Sequence, residues 1–228
     1  MKNCEKLNNL SDIDDHYDVF LIDLWGVIHN GIAAFDNVIP VLQSLKQKKK
    51  MVFFITNAPR RSFVISQQLE DFGIEQKLYD KIISSGELTW LSIKEKYQKK
   101  NCLIIGPPRD FHLVEGLDIS VVDKDSNVDI ILNTGPWGDD DSLENYTDLL
   151  DSLAKKKSHM ICSNPDKKVI RGKNFMICAG LLAEYYEKIG GEVKYFGKPH
   201  NNIYEFIFKL INERKKILVI GDSLDNDI

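Results

Sequence analysis

The stretch Asp18-Val-Phe-Leu-Ile-Asp-Leu-Trp-Gly-Val-Ile-His-Asn30 decides how the chain folds. From Val19 to Asp23 only the last residue is polar. The run is short and rich in β-branched and aromatic side chains, so it predicts a strand buried on both faces and not half of an amphipathic helix. Gly26 and Gly31 follow closely, and the chain turns there. The strand therefore ends on a carboxylate, Asp23. Open α/β sheets bind ligands outside the carboxyl ends of their strands. A carboxylate in that place also caps or solvates an ordinary strand end, and this stretch by itself leaves both readings open.

Outward from that strand the pattern repeats. Residues 1–17 are polar and predict a short helix or arm. Asp36 to Lys50 predicts a helix, with Val38, Val41, Leu42 and Leu45 at helical spacing. Lys46, Lys48, Lys49 and Lys50 crowd its end, where a solvated helix C-terminus favoured by the macrodipole explains them better than a nucleic-acid patch. Met51 to Ile55 predicts a second buried strand, ending in Thr56-Asn57-Ala58-Pro59. Pro59 suits the first turn of a helix that reaches about Phe72 and stops at Gly73. Further strands are expected at Lys81 to Ser84, Cys102 to Ile105, Ile119 to Val122, Asp129 to Leu132, Ser158 to Cys162, Val193 to Phe196 and Lys216 to Ile220. Helices are expected from Ser84 to about Gln98, from Ser142 to about Ala154, from Ala179 to Ile189, and from Asn201 or Asn202 to about Asn212. A hairpin-like segment carries Arg171-Gly172-Lys173-Asn174. This alternation sets the class as α/β, a parallel sheet with helical crossovers.

Composition narrows the function. The 228 residues suffice for one large domain or two small ones. A net charge of −4 supplies no electrostatic footprint for nucleic acid, and no apolar run approaches the length of a membrane span. The polar opening Met1-Lys-Asn-Cys-Glu-Lys has no apolar signal segment, so a cytoplasmic protein with reduced thiols is expected. Cys4, Cys102, Cys162 and Cys178 show no C-x-x-C spacing, and Cys102 and Cys162 lie in apolar runs as core residues do.

Four predicted strands end in groups that carry chemistry: Asp23, Thr56 with Asn57, Lys198, and Asp222 with Asp227. One parallel sheet can present such ends along a single edge. Carboxylates, a hydroxyl, an amide and an ammonium in one cleft are the set that phosphoryl transfer needs. Asp23 and Asp222 are hard oxygen ligands for Mg²⁺. Asp23 is also a nucleophile able to form an aspartyl-phosphate. Lys198 and the Thr56 hydroxyl can stabilise charge on the transferring group. Asp227 is placed to hold Lys198 or a metal-bound water.

These pieces resemble the haloacid dehalogenase superfamily, class IIA, the NagD-like branch. Asp23-Leu-Trp-Gly-Val is similar to its first motif, Ile55-Thr-Asn-Ala-Pro to its second, Phe196-Gly-Lys-Pro to its third and Gly221-Asp-Ser-Leu-Asp-Asn-Asp-Ile to its fourth. Ser84-Ser-Gly-Glu resembles the segment that leads into the cap of that class. The resemblance runs from Val19 to the end of the chain. It implies a Rossmann-like hydrolase core, residues 1–82 and 194–228, with an inserted α/β cap, residues 83–193. It implies Mg²⁺-dependent hydrolysis of a small phosphorylated metabolite, with Asp23, the backbone carbonyl of Trp25, and Asp222 on the metal. It further implies substrate contact by Asn57 and by cap residues, for which Asn164 and Asp166, with Arg171 and Lys173, are candidates; each of these cap residues is equally at home in a plain loop. Relatives of this class often dimerise through the cap, which makes a homodimer an expectation.

One position departs from the family pattern. Phosphatases of the superfamily carry a second Asp two residues after the nucleophile as general acid, where this chain has Trp25. Loss of general acid help costs about 10²–10⁴-fold in rate. His29, His200 or a cap residue could replace that acid. An aromatic there also resembles the dehalogenase branch, whose substrate leaves without a proton. The resemblance therefore allows a phosphatase, a hydrolase of acyl phosphates, phosphonates or halides, or a weakly catalytic phosphate-binding protein. It also implies a further helix and strand beyond Ile228.

Overall fold

A computed structural model of the chain describes residues 6–171, 174–211 and 215–227. Cys4, Gly172, Lys173, Asn212 and Ile228 lie outside the described residues. The strands are β1 (Val19–Asp23), β2 (Met51–Thr56), β3 (Lys81–Ser84), β4 (Asn101–Ile105), β5 (Ser120–Val121), β6 (Ile130–Asn133), β7 (His159–Cys162), β8 (Lys168–Arg171), β9 (Asn174–Ile177), β10 (Val193–Tyr195) and β11 (Ile217–Ile220). The helices are α1 (Val38–Gln47), α2 (Ser62–Asp71), α3 (Ser85–Lys96), α4 (Thr147–Lys155), α5 (Ala179–Lys188), α6 (Asn201–Leu210) and α7 (Leu224–Asp227). Short 3₁₀ turns at Leu10–Asp12 and Asp14–His16 precede β1 in the polar segment.

The chain divides into two compact units. One comprises Met1–Ile55, Ser66–Ile82 and Ile207–Ile228; the other comprises Thr56–Ile65 and Ile83–Phe206.

The first unit is built on β1. All five of its residues are buried, as a continuous apolar run in a parallel sheet must be. β1 pairs in parallel with β2 on one flank and β11 on the other, in a sheet of order β11-β1-β2-β3. The chain leaves β1 toward β2 and β3 and returns on the opposite flank as β11, so the sheet's topological switch lies at β1 and β11. Helix α1 turns Leu42 and Leu45 inward, three residues apart on one face. The lysines at its end are engaged locally. Lys46 pairs with Asp80 at 2.7 Å, Lys48 with Asp14 at 2.6 Å, and Lys50 donates to the Tyr17 carbonyl at 2.7 Å.

The second unit holds a parallel sheet of order β10-β7-β6-β4-β5 and an antiparallel hairpin, β8 with β9, at the expected place. Its core joins the sheet to α4 and α5 through Ile131, Met160, Leu150, Leu153, Leu182 and Tyr186. Cys102, Cys162 and Cys178 are buried and reduced, and burial pushes each thiol up to about 12. Among the described residues no helix is long and apolar enough to cross a membrane.

Three expectations need correction. The helix after β2 starts at Ser62 and not at Pro59, because Arg60 N–H closes a tight turn onto the Ala58 carbonyl at 2.8 Å. Ser142 heads a 3₁₀ turn, Leu143–Asn145, its N–H donating to Asn145 Oδ1 at 2.8 Å, and α4 begins only at Thr147. The strand before Lys198 does not join the sheet of Asp23: β10 pairs with β7, so the four reactive strand ends do not belong to one sheet.

Candidate active site

The sequence-derived site residues fall into two groups, one in each unit. In the first unit, Asp23 ends β1, and the neighbouring β11 ends opposite Ile22 at Ile220. Two residues later the chain places Asp222, and the single turn of α7 brings back Asp227. Carboxylate oxygens of Asp23, Asp222 and Asp227 all lie within 4.8 Å of one another. Asp23 and Asp227 are buried and Asp222 is exposed. The Asp227 carboxylate belongs to the same cluster. Its Oδ2 is held by the Ser223 N–H at 3.1 Å.

Two glycines make this approach possible. Gly26 has φ +83°, and a Cβ there would fall 2.0 Å from Asp222 Oδ2. The Asp222 carboxylate therefore lies against the Gly26 backbone, next to the peptide that carries the Trp25 carbonyl. A Cβ on Gly221 would strike Asp227 at 2.2 Å. Three carboxylates this close, two of them buried, repel one another and lose hydration. A hard divalent cation with oxygen ligands answers both costs, so the donor set fits Mg²⁺.

The Trp25 indole is 47% exposed and packs over Gly31, where a Cβ would meet its ring at 2.5 Å. Its ring also meets His29 edge-on, centroids 5.9 Å apart. His29 is buried, lies 5.2 Å from the Phe72 ring, and accepts the Gly31 N–H on Nδ1 at 3.0 Å. That bond places the proton of neutral His29 on Nε2.

In the second unit, Thr56 Oγ1 accepts the Ala58 N–H at 3.2 Å. Asn57 uses its whole amide. Its Oδ1 accepts the Lys198 N–H at 2.6 Å, and its Nδ2 donates to the Lys198 carbonyl at 3.0 Å and to Asp166 Oδ1 at 2.9 Å. Asn164 Oδ1 in turn accepts the Asp166 N–H at 3.1 Å. Asn57, Asn164, Asp166 and Lys198 are thus one hydrogen-bonded chain, with both Asn57 amide hydrogens committed to it. Gly197, at φ +117°, permits the contact, since a Cβ there would lie 2.5 Å from Asn57 Oδ1. Ser85 Oγ donates to the Phe196 carbonyl and pins the same loop. Lys198 itself is 3% exposed. His200 stacks on Tyr195, centroids 4.7 Å apart, and burial lowers its pKa, so it is neutral at pH 7. The Asn57 clamp went unread in the sequence; its only signal is an Asn directly after a strand-ending Thr.

Comparison with known proteins bears on this arrangement. The profile of the haloacid dehalogenase-like hydrolases matches residues 20–120. A hydrolase of the haloacid dehalogenase-like family from Brucella suis, known from its crystal structure, is 32% identical and superposes with a TM-score of 0.89, covering 97% of this chain and 84% of the other. An acid sugar phosphatase from Staphylococcus epidermidis is 22% identical, over 93% of this chain and 82% of its own length. A glycerol phosphate phosphatase from Mycobacterium tuberculosis, solved in complex with magnesium, is 20% identical with a TM-score of 0.72, over 95% of this chain and 65% of the other, and shares the fold.

Proposed function

Because the chain belongs to the haloacid dehalogenase-like hydrolases, we propose that it hydrolyses phosphate monoesters of small metabolites through an aspartyl-phosphate on Asp23. The observation that carries this reading is the cluster of Asp23, Asp222 and Asp227 at the switch point of the first sheet. In this reading residues 1–82 and 194–228 act as the hydrolase core and residues 83–193 as the cap.

An Asp23 carboxylate oxygen attacks phosphorus, the ester P–O bond breaks, and the leaving oxygen takes up a proton. Water then attacks the same phosphorus, releasing inorganic phosphate and restoring Asp23. Lys198 and Thr56 stabilise charge on the transferring group, and Asn57 fixes the backbone of Lys198 from both sides. Asp166 anchors Asn57, and Asn164 holds Asp166. Mg²⁺ held by Asp23, Asp222 and the Trp25 carbonyl, with Asp227 beside it, would supply positive charge against the phosphoryl oxygens. The magnesium complex of the mycobacterial phosphatase and the name of the staphylococcal one support this assignment.

Turnover of p-nitrophenyl phosphate and of a panel of phosphorylated metabolites, with and without Mg²⁺, tests it. Asp23→Asn is expected to lose at least about 10³-fold in kcat. If the wild-type chain turns over no phosphate ester in a Mg²⁺-dependent way, the reading is wrong.

Trp25 favours a second reading on one point. An indole offers no useful proton to a leaving oxygen, so substrates with good leaving groups, such as acyl phosphates, suit this chain better than alkyl esters.

A further inference from the structure

The segment after β1 builds a seat for the Trp25 indole. The chain folds back on itself there: the Gly26 N–H donates to the His29 carbonyl at 3.0 Å, and the Phe35 N–H donates to the Ile28 carbonyl at 3.0 Å. Asn30 Oδ1 accepts the N–H groups of Ile32 and Ala33, at 2.9 and 3.0 Å, and closes the tip. Residues 25–35 therefore form a hydrogen-bonded flap.

The indole rests on this flap at two points. Gly31, at φ +86°, leaves room for it, since a Cβ there would lie 2.5 Å from Trp25 Cζ3 and 2.6 Å from Cη2. The His29 ring meets the indole edge-on, with an interplanar angle of 82°. His29 is itself fixed by the Gly31 N–H and the Phe72 ring. Yet the indole keeps nearly half of its surface open to solvent. Ile32, 84% exposed, and Phe35, 40% exposed, add further open apolar surface to the same flap. A ring that is held in place and left open is a surface for another ring, because aromatic rings attract one another in offset stacks.

The place of the indole matters as much as its support. Trp25 follows Asp23 by two residues, and the Gly26 backbone lies against the Asp222 carboxylate. The turn that carries the indole thus borders the carboxylate cluster. An indole supplies no useful proton to a leaving oxygen. A phenol ionises at about 10, whereas bulk water, whose O–H resembles that of an alkyl alcohol, ionises only at about 15.7. An aryl oxide therefore departs as the anion far more readily than an alkoxide. A flat aromatic leaving group answers both features of this position: it stacks, and it needs no acid.

Resting on the phosphate-ester chemistry assigned above to Asp23, we propose that the Trp25 indole is a stacking wall for the aromatic leaving group of a small aryl phosphate. An Asp23 oxygen bonds to phosphorus as the P–O(aryl) bond breaks, and the aryl oxide leaves with the electron pair and takes its proton from water. The test needs no turnover. Binding of phenylphosphonate and cyclohexylphosphonate, whose P–C bonds resist hydrolysis, is measured by calorimetry on the full chain with Mg²⁺. The two have the same charge and similar size, and only one ring is flat and aromatic. Phenylphosphonate is expected to bind about tenfold more tightly. Trp25→Leu, with its fold verified by circular dichroism, is expected to bind the two equally. Gly31→Ala keeps the indole but pushes it off its seat, and is expected to shrink the preference; it decides the matter if Trp25→Leu does not fold. Equal binding by the wild type, binding of neither phosphonate, or a full preference in folded Trp25→Leu overturns the proposal. Hydrolysis of acetyl phosphate is followed alongside. Mg²⁺-dependent turnover with equal phosphonate binding removes the stacking wall and leaves the hydrolase reading standing. A phenyl preference lost in Trp25→Leu, with no turnover of any ester, supports the wall and removes the hydrolase reading.

Discussion

Asp23, Asp222 and Asp227 are one residue type in three settings, and the settings decide their use. Asp23 and Asp227 are buried while Asp222 faces solvent, so removing any one changes the charge balance of the other two. Trp25 shapes the chemistry by what it lacks. Trp25→Asp is expected to raise kcat on alkyl phosphates by about tenfold or more while changing hydrolysis of acyl phosphates little, which steady-state kinetics on both ester classes will read. An equal gain on both classes would remove the case for a leaving group that departs without a proton. Asp110 yields a prediction in stability. Burial raises its pKa above the usual 3.8, so its contribution is complete below that value and is lost as pH rises through the folded-state pKa. Asp110→Asn should therefore melt above wild type at pH 7, and the gap should close as the pH falls below about 4. A constant difference in melting temperature across that range would contradict the sign argued here.

At the scale of elements, strand ends and the glycines beside them set the geometry. Gly26→Ala places a Cβ 2.0 Å from Asp222 Oδ2 at a backbone φ of +83°. The variant should lose about 1–2 kcal/mol to the left-handed conformation alone. It should also need severalfold more Mg²⁺ for half-maximal activity, measured by titration; an unchanged Mg²⁺ requirement would mean Asp222 does not serve the metal. Much at this scale was legible in the sequence. Val19–Ile22 and Met51–Ile55 are unbroken apolar runs, and only a strand covered on both faces explains such runs. The β8–β9 pairing was legible from the hairpin-like sequence Arg171-Gly-Lys-Asn174. The partner of β10 was not. A three-residue strand carries too little pattern to say which sheet it joins, because tertiary packing makes that choice. The start of α2 was misread for a similar reason, since Pro59 suits a tight turn as well as a helix.

For the whole molecule, the sequence showed an α/β chain with reactive groups at strand ends, and the structure arranges those groups in two units. Two short motifs at strand ends, Asp23 and Asp222 with Asp227, sufficed to mark the carboxylate cluster because strand polarity already fixes which end carries such groups. The Asn57 clamp was not legible, since it depends on contacts between segments far apart in sequence. The buried thiols give a check on the integrity of the second unit. Cys102, Cys162 and Cys178 should resist alkylation by iodoacetamide at pH 8 in the native protein and react only on unfolding, as peptide mass spectrometry will show. Rapid native labelling of any of the three would mean that the unit opens readily. The most direct test of the central claim is an acid quench during turnover of a phosphate ester labelled with radioactive phosphorus, followed by peptide mapping. Acid-stable label on the peptide containing Asp23, absent in Asp23→Asn together with turnover, is the predicted result. Turnover by Asp23→Asn at the wild-type rate, with no label on that peptide in either protein, would contradict it.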